Sequence, residues 1–216
     1  MGIALLLAWG VAVWRGTASP ARARAFGWLA ACALAFSMLT QLWLLGLDRL
    51  LTLETGLPLH LCGLFGVLSI PMLIGRAPAA LYELLAFLAA PAAAVTLLFP
   101  AVMRCSHPQL MRFAFLQLHA LVALMPLYFF RTGKPLPRDP RRALVLGNGY
   151  LVAVSAFNRA ANTNYLFLSA APAGTPLAAL RTQGGAYYIC ALEIMCMLVF
   201  AWLDKLYGRI NAYCRK

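Results

Sequence analysis

The sequence predicts an all-α polytopic membrane protein, a bundle of seven transmembrane helices. Of its 216 residues, 63% are hydrophobic and only 11% are charged, and the mean hydropathy is +0.79. A soluble domain of this size has about 25% charged residues. The apolar runs are continuous and rich in Leu and Ala, whereas a membrane β-barrel needs alternating segments of about ten residues. Since each span takes about 20 residues, we expect residues 1–216 to form a single transmembrane domain.

Seven apolar runs are candidates for the spans. They cover residues 1–14, 25–47, 57–75, 79–99, 112–130, 143–165 and 186–206. The first run precedes its basic residues, which is the reverse of the order in a signal peptide, so we expect an uncleaved first helix. Because this run is short for a span, we also expect that the full chain begins further upstream.

The distribution of Lys and Arg predicts the orientation. The loops after spans one, three and five, together with the C-terminal tail, hold 13 of the 18 basic residues when Lys205 is counted with the tail. The opposite side holds four, with Arg112 counted there, and Arg159 lies inside span six. Basic residues concentrate in cytoplasmic loops, so we expect the N-terminus outside and the C-terminus in the cytoplasm. This is the topology of a multi-pass protein of a bacterial cell (inner) membrane.

The net charge of +12 therefore follows from topology and not from a nucleic-acid partner. The most basic loop, RTGKPLPRDPRR at 131–142, is expected to lie on anionic lipid headgroups. It lacks the interleaved aromatic side chains of a platform on which bases stack. Membrane lipids are the expected partners, and no nucleic acid is expected.

The third span, at 57–75, is the helix around which we expect the others to pack. It carries no formal charge, and its first turn contains Pro58, His60 and Cys62. A helix that only anchors the chain needs neither an imidazole nor a thiol. A thiol near a helix N-terminus is favoured as thiolate by the helix dipole, which makes Cys62 a candidate nucleophile.

Helix rise places polar side chains of four spans at a similar depth, roughly 5–10 Å below the outer surface. These side chains are Cys62, His119, Asn158, Asn162 and Glu193. Ionisable groups inside a span face the bundle interior because exposing them to lipid costs several kcal/mol. We therefore expect one shared polar layer, where Glu193 is able to pair with Arg159.

One side of span six is polar through much of its length. Asn148, Ser155, Asn158, Arg159 and Asn162 fall within about 100° on a helical wheel. A single Asn or Ser inside a span commonly does no more than bond a neighbouring helix, and this remains the alternative for Asn148 and Ser155.

This polar layer suits acyl transfer or ester hydrolysis, because the ester carbonyls of lipids lie just below the headgroups. His119 would take the Cys62 proton and later return it. An Asn or Glu would orient the imidazole, and Asn amides or backbone N–H groups would hold an oxyanion. In a regular helix His60 lies about 200° from Cys62, so His119 is the preferred base. The chemistry needs no cofactor.

Two alternatives remain open. His60, Cys62, Cys105, His107 and His119 are nitrogen and sulfur donors on the outer side, as zinc requires, but their spacing matches no ligand motif and no metal is predicted. The second alternative is a non-enzymatic binding protein or transporter for a small solute or lipid headgroup. It would need a polar path to the cytoplasm, or broken helices and an inverted repeat.

Three blocks of sequence are similar to a known family. They are LPLHLC at 57–62, FLQLHAL at 115–121 and NRAANTNYLFL at 158–168. In order and spacing they resemble the YwaF-type bacterial integral membrane proteins, which are related to the animal transmembrane protein 164. The resemblance covers about residues 40–206. An extra N-terminal segment usual in the family is missing here, and Ala171-Pro172 replaces a common Lys-Pro that would supply a basic headgroup contact.

The resemblance implies a lipid acyltransferase with a cysteine nucleophile, since the animal relative is regarded as moving a polyunsaturated acyl chain into ether phospholipids. Cys62 matches that nucleophile, and His119 is the expected partner. Asn158, Asn164 and Tyr165 belong to the family's block and would line the site. The full set of expected substrate-binding residues is His60, Asn158, Asn162, Asn164, Tyr165, Glu193 and Arg159.

Overall fold

A computed structural model describes residues 1–75, 77–171, 176–181 and 184–213. Within these ranges the chain is helical and contains no β-strand, which confirms the predicted all-α class. Four helices there are long and apolar enough to cross a membrane: Pro20–Leu47, Ala79–Leu98, Pro108–Arg131 and Gly185–Tyr213. The chain is therefore a membrane protein.

The described ranges contain ten α-helices. They are α1 (Gly2–Gly16), α2 (Pro20–Leu47), α3 (Leu53–Gly56), α4 (Leu61–Ile74), α5 (Ala79–Leu84), α6 (Ala90–Leu98), α7 (Pro108–Arg131), α8 (Arg141–Ala161), α9 (Pro176–Arg181) and α10 (Gly185–Tyr213). A π-helical turn, Leu85–Ala89, joins α5 to α6 without a break. A 3-10 turn, Tyr165–Phe167, follows α8.

Local sequence signals explain several helix ends. Ser19 precedes α2 and its side chain accepts a hydrogen bond from the Arg22 N–H, with Pro20 as the first helical residue. Pro108 likewise begins α7. Helix α8 ends at Ala161, and the next residue, Asn162, has a φ of 52° in the left-handed region that Asn tolerates better than most residues.

Side-chain bonds show which helix ends lie together. The Asp48 carboxylate after α2 accepts the Ser106 N–H just before α7 at 2.6 Å. At the opposite end, Arg131 at the end of α7 donates from Nε to the Thr17 hydroxyl after α1 at 3.3 Å. We refer to these as the Cys62 end and the Arg131 end of the bundle, since Cys62 stands near the start of α4 on the same side as Asp48.

Helix α7 is the most buried of the four long apolar helices, so the expectation that the bundle packs around span three is wrong. More than half of the residues of α7 are buried, compared with fewer than half of those of α4. Halfway along, Gln117 of α7 donates from Nε2 to the Ser37 hydroxyl of α2 at 3.0 Å. Such a bond between helices fixes their register inside an apolar bundle.

The basic loop at 131–142 is tied to the bundle through several of its side chains. Lys134 donates to the Ala77 carbonyl at 2.8 Å. Among the described residues three ion pairs form, and two of them join this region to other helices: Arg138 to Asp204 of α10 and Arg142 to Glu83 of α5. These basic side chains connect helices to one another, whereas the sequence predicted only that the loop lies on lipid headgroups.

Candidate functional site

Two connecting segments meet at the Cys62 end, and we call them together the polar junction, residues 53–62 and 158–170. The first runs from α3 through extended backbone into the start of α4, and the second runs from the last turn of α8 through the 3-10 turn. The Tyr165 hydroxyl lies 2.6 Å from the Leu53 carbonyl and 3.0 Å from the Leu57 carbonyl. The Tyr150 hydroxyl of α8 donates to the Leu59 carbonyl at 2.8 Å. Non-helical backbone inside a membrane protein needs partners for its polar groups, and these two tyrosines supply them here.

The start of span three differs from the prediction. A helix was expected from Leu57, whereas Leu57 is extended and α4 begins at Leu61, with His60 as the residue before it at φ −72° and ψ 142°. Pro58 disfavours helical geometry in the residue that precedes it, so a break at Leu57 is physically reasonable. Cys62 is therefore the second residue of its helix and not the fifth or sixth. The helical-wheel argument that set His60 opposite Cys62 does not apply.

Asn158 lies inside the polar junction and supports its shape. The residue is 5% exposed. Its Nδ2 donates to the Tyr165 carbonyl at 2.9 Å, while its Oδ1 accepts the Thr163 hydroxyl at 2.8 Å and the Tyr165 N–H at 2.9 Å. All three bonds join Asn158, in the last turn of α8, to the segment that follows this helix. Asn158 thus bonds to residues close to it in the sequence, and its direct role is to position Tyr165.

Asn164 organises the next turn in the same way. Its Oδ1 accepts the N–H groups of Ser169 and Ala170, and its Nδ2 donates to the Ala170 carbonyl at 2.8 Å. Between these contacts, Leu166 and Phe167 have φ values of 58° and 57°. Positive φ costs a residue with a side chain of this kind about 1–3 kcal/mol and tends to occur at functional sites. The strained pair lies directly against His60.

The His60 imidazole is held by this strained turn. Its Nδ1 accepts the Leu166 N–H at 3.3 Å, and its ring packs on Tyr165 and Phe167 with centroid separations of 5.1 and 5.0 Å. Because Nδ1 accepts, the proton of the neutral ring is on Nε2. Glu54 of α3 is near enough to act electrostatically on His60. With its proton on Nε2, His60 presents an N–H donor.

His119 has the opposite proton arrangement. It is 7% exposed, and its Nδ1 lies 2.7 Å from the Phe115 carbonyl. A carbonyl only accepts, so Nδ1 carries the proton and Nε2 has a free lone pair. The ring stacks on Phe115 at 4.2 Å between centroids and interacts electrostatically with His60. His119 is thus the imidazole that is able to accept a proton.

Cys62 is 8% exposed and stands in the first turn of α4. The first backbone N–H groups of any helix lack partners within the helix, and no side-chain cap bonds them at the start of α4. The Thr96 hydroxyl of α6 is the polar group next to the thiol, and it donates to the Ala92 carbonyl at 2.9 Å. Thr96 was not singled out in the sequence, although a lone hydroxyl in the apolar run AAAVTLLFP was a visible signal.

The depth of His119 relative to Cys62 follows from the packing of α4 on α7. A Cβ at Gly66 would stand 3.2 Å from Leu118 Cδ1, so these two residues are level. Gly66 is one turn after Cys62, or about 6 Å along the helix. Among the described residues no hydrogen bond joins the thiol to the imidazole. Cys62 stands in the first turn of α4, whereas His119 lies near the middle of α7, about one turn deeper in the bundle than the thiol.

The other expected site residues are more dispersed. Arg159 and Asn162 are exposed, as is Asn148, whereas Ser155 and Glu193 are half-buried. In the described part of the chain Glu193 forms no ion pair with Arg159, so the expected pair is not formed. Helix α8 buries a narrow face that holds Val154 and Asn158. The polar side of about 100° that the sequence predicts for this helix is wider than that face, so only part of it is buried.

Nor do the expected nitrogen and sulfur donors come together. Within the described ranges no three His, Cys, Asp or Glu side chains are grouped closely enough to bind one metal ion. His107 instead bonds through Nδ1 to the neighbouring Ser106 hydroxyl at 2.9 Å.

Comparison with known proteins gives one match. The model of the TMEM164 family matches residues 1–204, which is almost the whole chain and includes all of the polar junction. No match was found among curated proteins or among solved structures.

Proposed function

This chain belongs to the TMEM164 family, and from that premise we propose that it is a membrane-embedded lipid acyltransferase or lipid hydrolase. Cys62 is the nucleophile and His119 is the base. The observation that carries the proposal is the pair of tautomers: His119 offers a lone pair on Nε2, whereas His60 offers an N–H. A base must be unprotonated where it meets the nucleophile, which favours His119 over His60.

The proposed reaction has two stages. His119 Nε2 takes the Cys62 proton as the thiolate attacks the ester carbonyl of a lipid, and the first-turn N–H groups of α4 stabilise the oxyanion. The protonated imidazole then gives its proton to the departing alcohol, which leaves a thioester on Cys62. A second lipid alcohol, or water, attacks the thioester with His119 again as base, and the thiol is restored. The Cys62 side chain must turn away from Thr96 for the first proton transfer.

The finer topology is part of the same proposal. We infer seven spans, with the N-terminus outside and the C-terminus in the cytoplasm of a bacterial inner membrane. The unequal distribution of Lys and Arg supports this orientation. The polar junction then lies in the outer leaflet, at the depth of the ester carbonyls of membrane lipids.

One observation favours a second candidate, a lipid-binding protein without chemistry. The polar neighbour of the thiol is Thr96, and among the described residues no hydrogen bond joins the thiol to His119. In that case the polar junction would bind a headgroup or acyl ester and release it unchanged.

An acyl-transfer assay separates the two candidates. Protein reconstituted in phospholipid vesicles should release or transfer acyl chains, detected by mass spectrometry of the lipids. Cys62→Ser and His119→Ala should each lower turnover by at least about a hundredfold, since each removes a group of one nucleophile–base unit. Cys32→Ser is the matched control, because that cysteine is exposed on α2. Wild-type turnover in Cys62→Ser would refute the nucleophile assignment, and binding without turnover in the wild type would favour the second candidate.

A further inference from the structure

A groove runs along the outside of α1, on a different part of the molecule from the polar junction. Its volume is about 530 Å³, and its lining comes from α1 and from one residue of α7: Leu6, Leu7, Gly10, Val11, Trp14, Arg15 and Leu124. A Cβ at Gly10 would meet no atom within 4 Å, so the missing side chain leaves open space in the groove. Apart from Arg15 and the Trp14 indole N–H, the lining side chains are apolar.

Positive charge is concentrated where the groove reaches the Arg131 end. Arg15 is exposed and forms none of the ion pairs seen among the described residues. The Arg131 guanidinium lies 4.1 Å from the centroid of the Trp14 ring, and its Nε donates to Thr17. Neither arginine faces a carboxylate partner in the described part of the chain. An apolar trough that ends at two unneutralised guanidinium groups is complementary to an acyl chain attached to an anionic headgroup.

We propose that this groove binds one anionic phospholipid. The phosphate lies between Arg15 and Arg131, and an acyl chain follows Leu6, Gly10 and the residues between them. From Leu6 to Arg15 the helix rises about 14 Å, which is close to half of the roughly 30 Å hydrocarbon thickness and so matches one leaflet. Trp14 has the interfacial position that amphipathic aromatic rings prefer. The proposal does not depend on catalysis by Cys62, which is outside the groove.

Native mass spectrometry tests the proposal directly. The full chain is placed in nanodiscs of equal parts phosphatidylglycerol and phosphatidylcholine, and the lipid retained on the protein after release is identified. We expect the wild type to retain one phosphatidylglycerol in preference to phosphatidylcholine. Arg15→Gln should lower that preference about fivefold, the factor expected for one basic side chain at a headgroup, whereas Arg15→Lys should preserve it. Arg24→Gln, an exposed arginine outside the groove, is the matched control.

Filling the groove tests the acyl chain separately. Gly10→Leu should lower retention of both lipids, because a Cβ at this position meets no atom within 4 Å and the rest of the new side chain extends into the trough. Gly46→Leu is the control, since a Cβ there also meets no atom within 4 Å but stands on α2, away from the groove. Equal retention of the two lipids by the wild type would overturn the proposal. A lipid-free dimer would also overturn it, because a second copy of the chain and not a lipid would then cover the groove. Equal effects of Gly10→Leu and Gly46→Leu on lipid retention would overturn it as well.

Discussion

At the scale of single residues, the polar side chains near Cys62 divide into those that build the polar junction and those that are available for chemistry. Asn158, Asn164 and Tyr165 use their bonds on backbone groups of the junction itself. His119 keeps one ring nitrogen free, and the Cys62 thiol is the only nucleophile among these residues. A substitution in the group that builds the junction should therefore lower stability first, and a substitution in the group available for chemistry should lower turnover first.

Asn158 provides the clearest test of a building role. Asn158→Ala removes three hydrogen bonds from a buried site and leaves the Tyr165 N–H without its acceptor, so we expect a loss of about 2–4 kcal/mol in the free energy of unfolding. Asn148→Ala on the same helix is the control, because Asn148 is exposed and its one side-chain bond within the described part of the chain is to the Leu144 carbonyl. Denaturant titration in detergent micelles measures both. Equal losses in the two variants would contradict the role assigned to Asn158.

At the scale of helices and loops, the all-helical class could be predicted from the sequence, since long apolar runs have few stable conformations other than helices in a membrane. Four of the predicted spans correspond to helices long and apolar enough to cross one. The break at Leu57 could not be predicted. Pro58 is compatible with either the first turn of a helix or an extended segment. The choice depends on Tyr150 and Tyr165, whose hydroxyls satisfy the extended backbone from about 100 residues away in the chain. A single sequence does not reveal that pairing.

The same limit applies to the functional side chains. Cys62 could be selected because it stands near the start of an apolar span, and His119 because an imidazole is rare inside such a span. Which histidine accepts a proton could not, because each tautomer is set by a backbone partner, the Phe115 carbonyl in one case and the Leu166 N–H in the other. The depth argument placed Glu193 and Arg159 beside the others, although depth alone does not determine which way a side chain faces.

The bond between the end of α2 and the loop before α7 predicts a dependence on pH. The Ser106 N–H and hydroxyl hold the pKa of Asp48 below its usual value. Because the folded pKa is lowered, the contact stabilises the loop above the ordinary Asp pKa and is lost as pH falls through the folded value. Hydrogen exchange, corrected for its intrinsic pH dependence, should show the Ser106 amide losing protection only after the pH falls below the ordinary Asp value of about 4.

An internal control and a variant sharpen this measurement. Arg141 lowers the pKa of Asp139 to about 2, so the Arg141 amide, which donates to Asp139 at 3.1 Å, should remain protected at a pH where Ser106 does not. Asp48→Asn should give weak protection of Ser106 that no longer changes with pH. Unchanged protection of Ser106 in wild-type protein down to pH 2 would show that the carboxylate does not hold the loop.

At the scale of the whole molecule, the contacts divide the chain between two ends, and the orientation of those ends is open to experiment. In a cysteine-free background, Ser106→Cys at the Cys62 end and Thr132→Cys at the Arg131 end give one thiol each. A maleimide that does not cross membranes should label position 106 in intact cells or spheroplasts and position 132 only after lysis. Labelling in the reverse order would show that the proposed orientation is inverted. Equal labelling of both in intact cells would contradict an odd number of crossings between them.

The π-helical turn at Leu85–Ala89 sets the angular relationship between the two halves of its span. A π turn contains one residue more than an α-helical turn, and each residue of a regular helix advances the chain by about 100°. Shortening this stretch by a single position would leave α5 in place but swing Thr96 roughly a quarter-turn away from Cys62. The immediate surroundings of the thiol are thus governed by a supernumerary residue about 25 positions further along the chain.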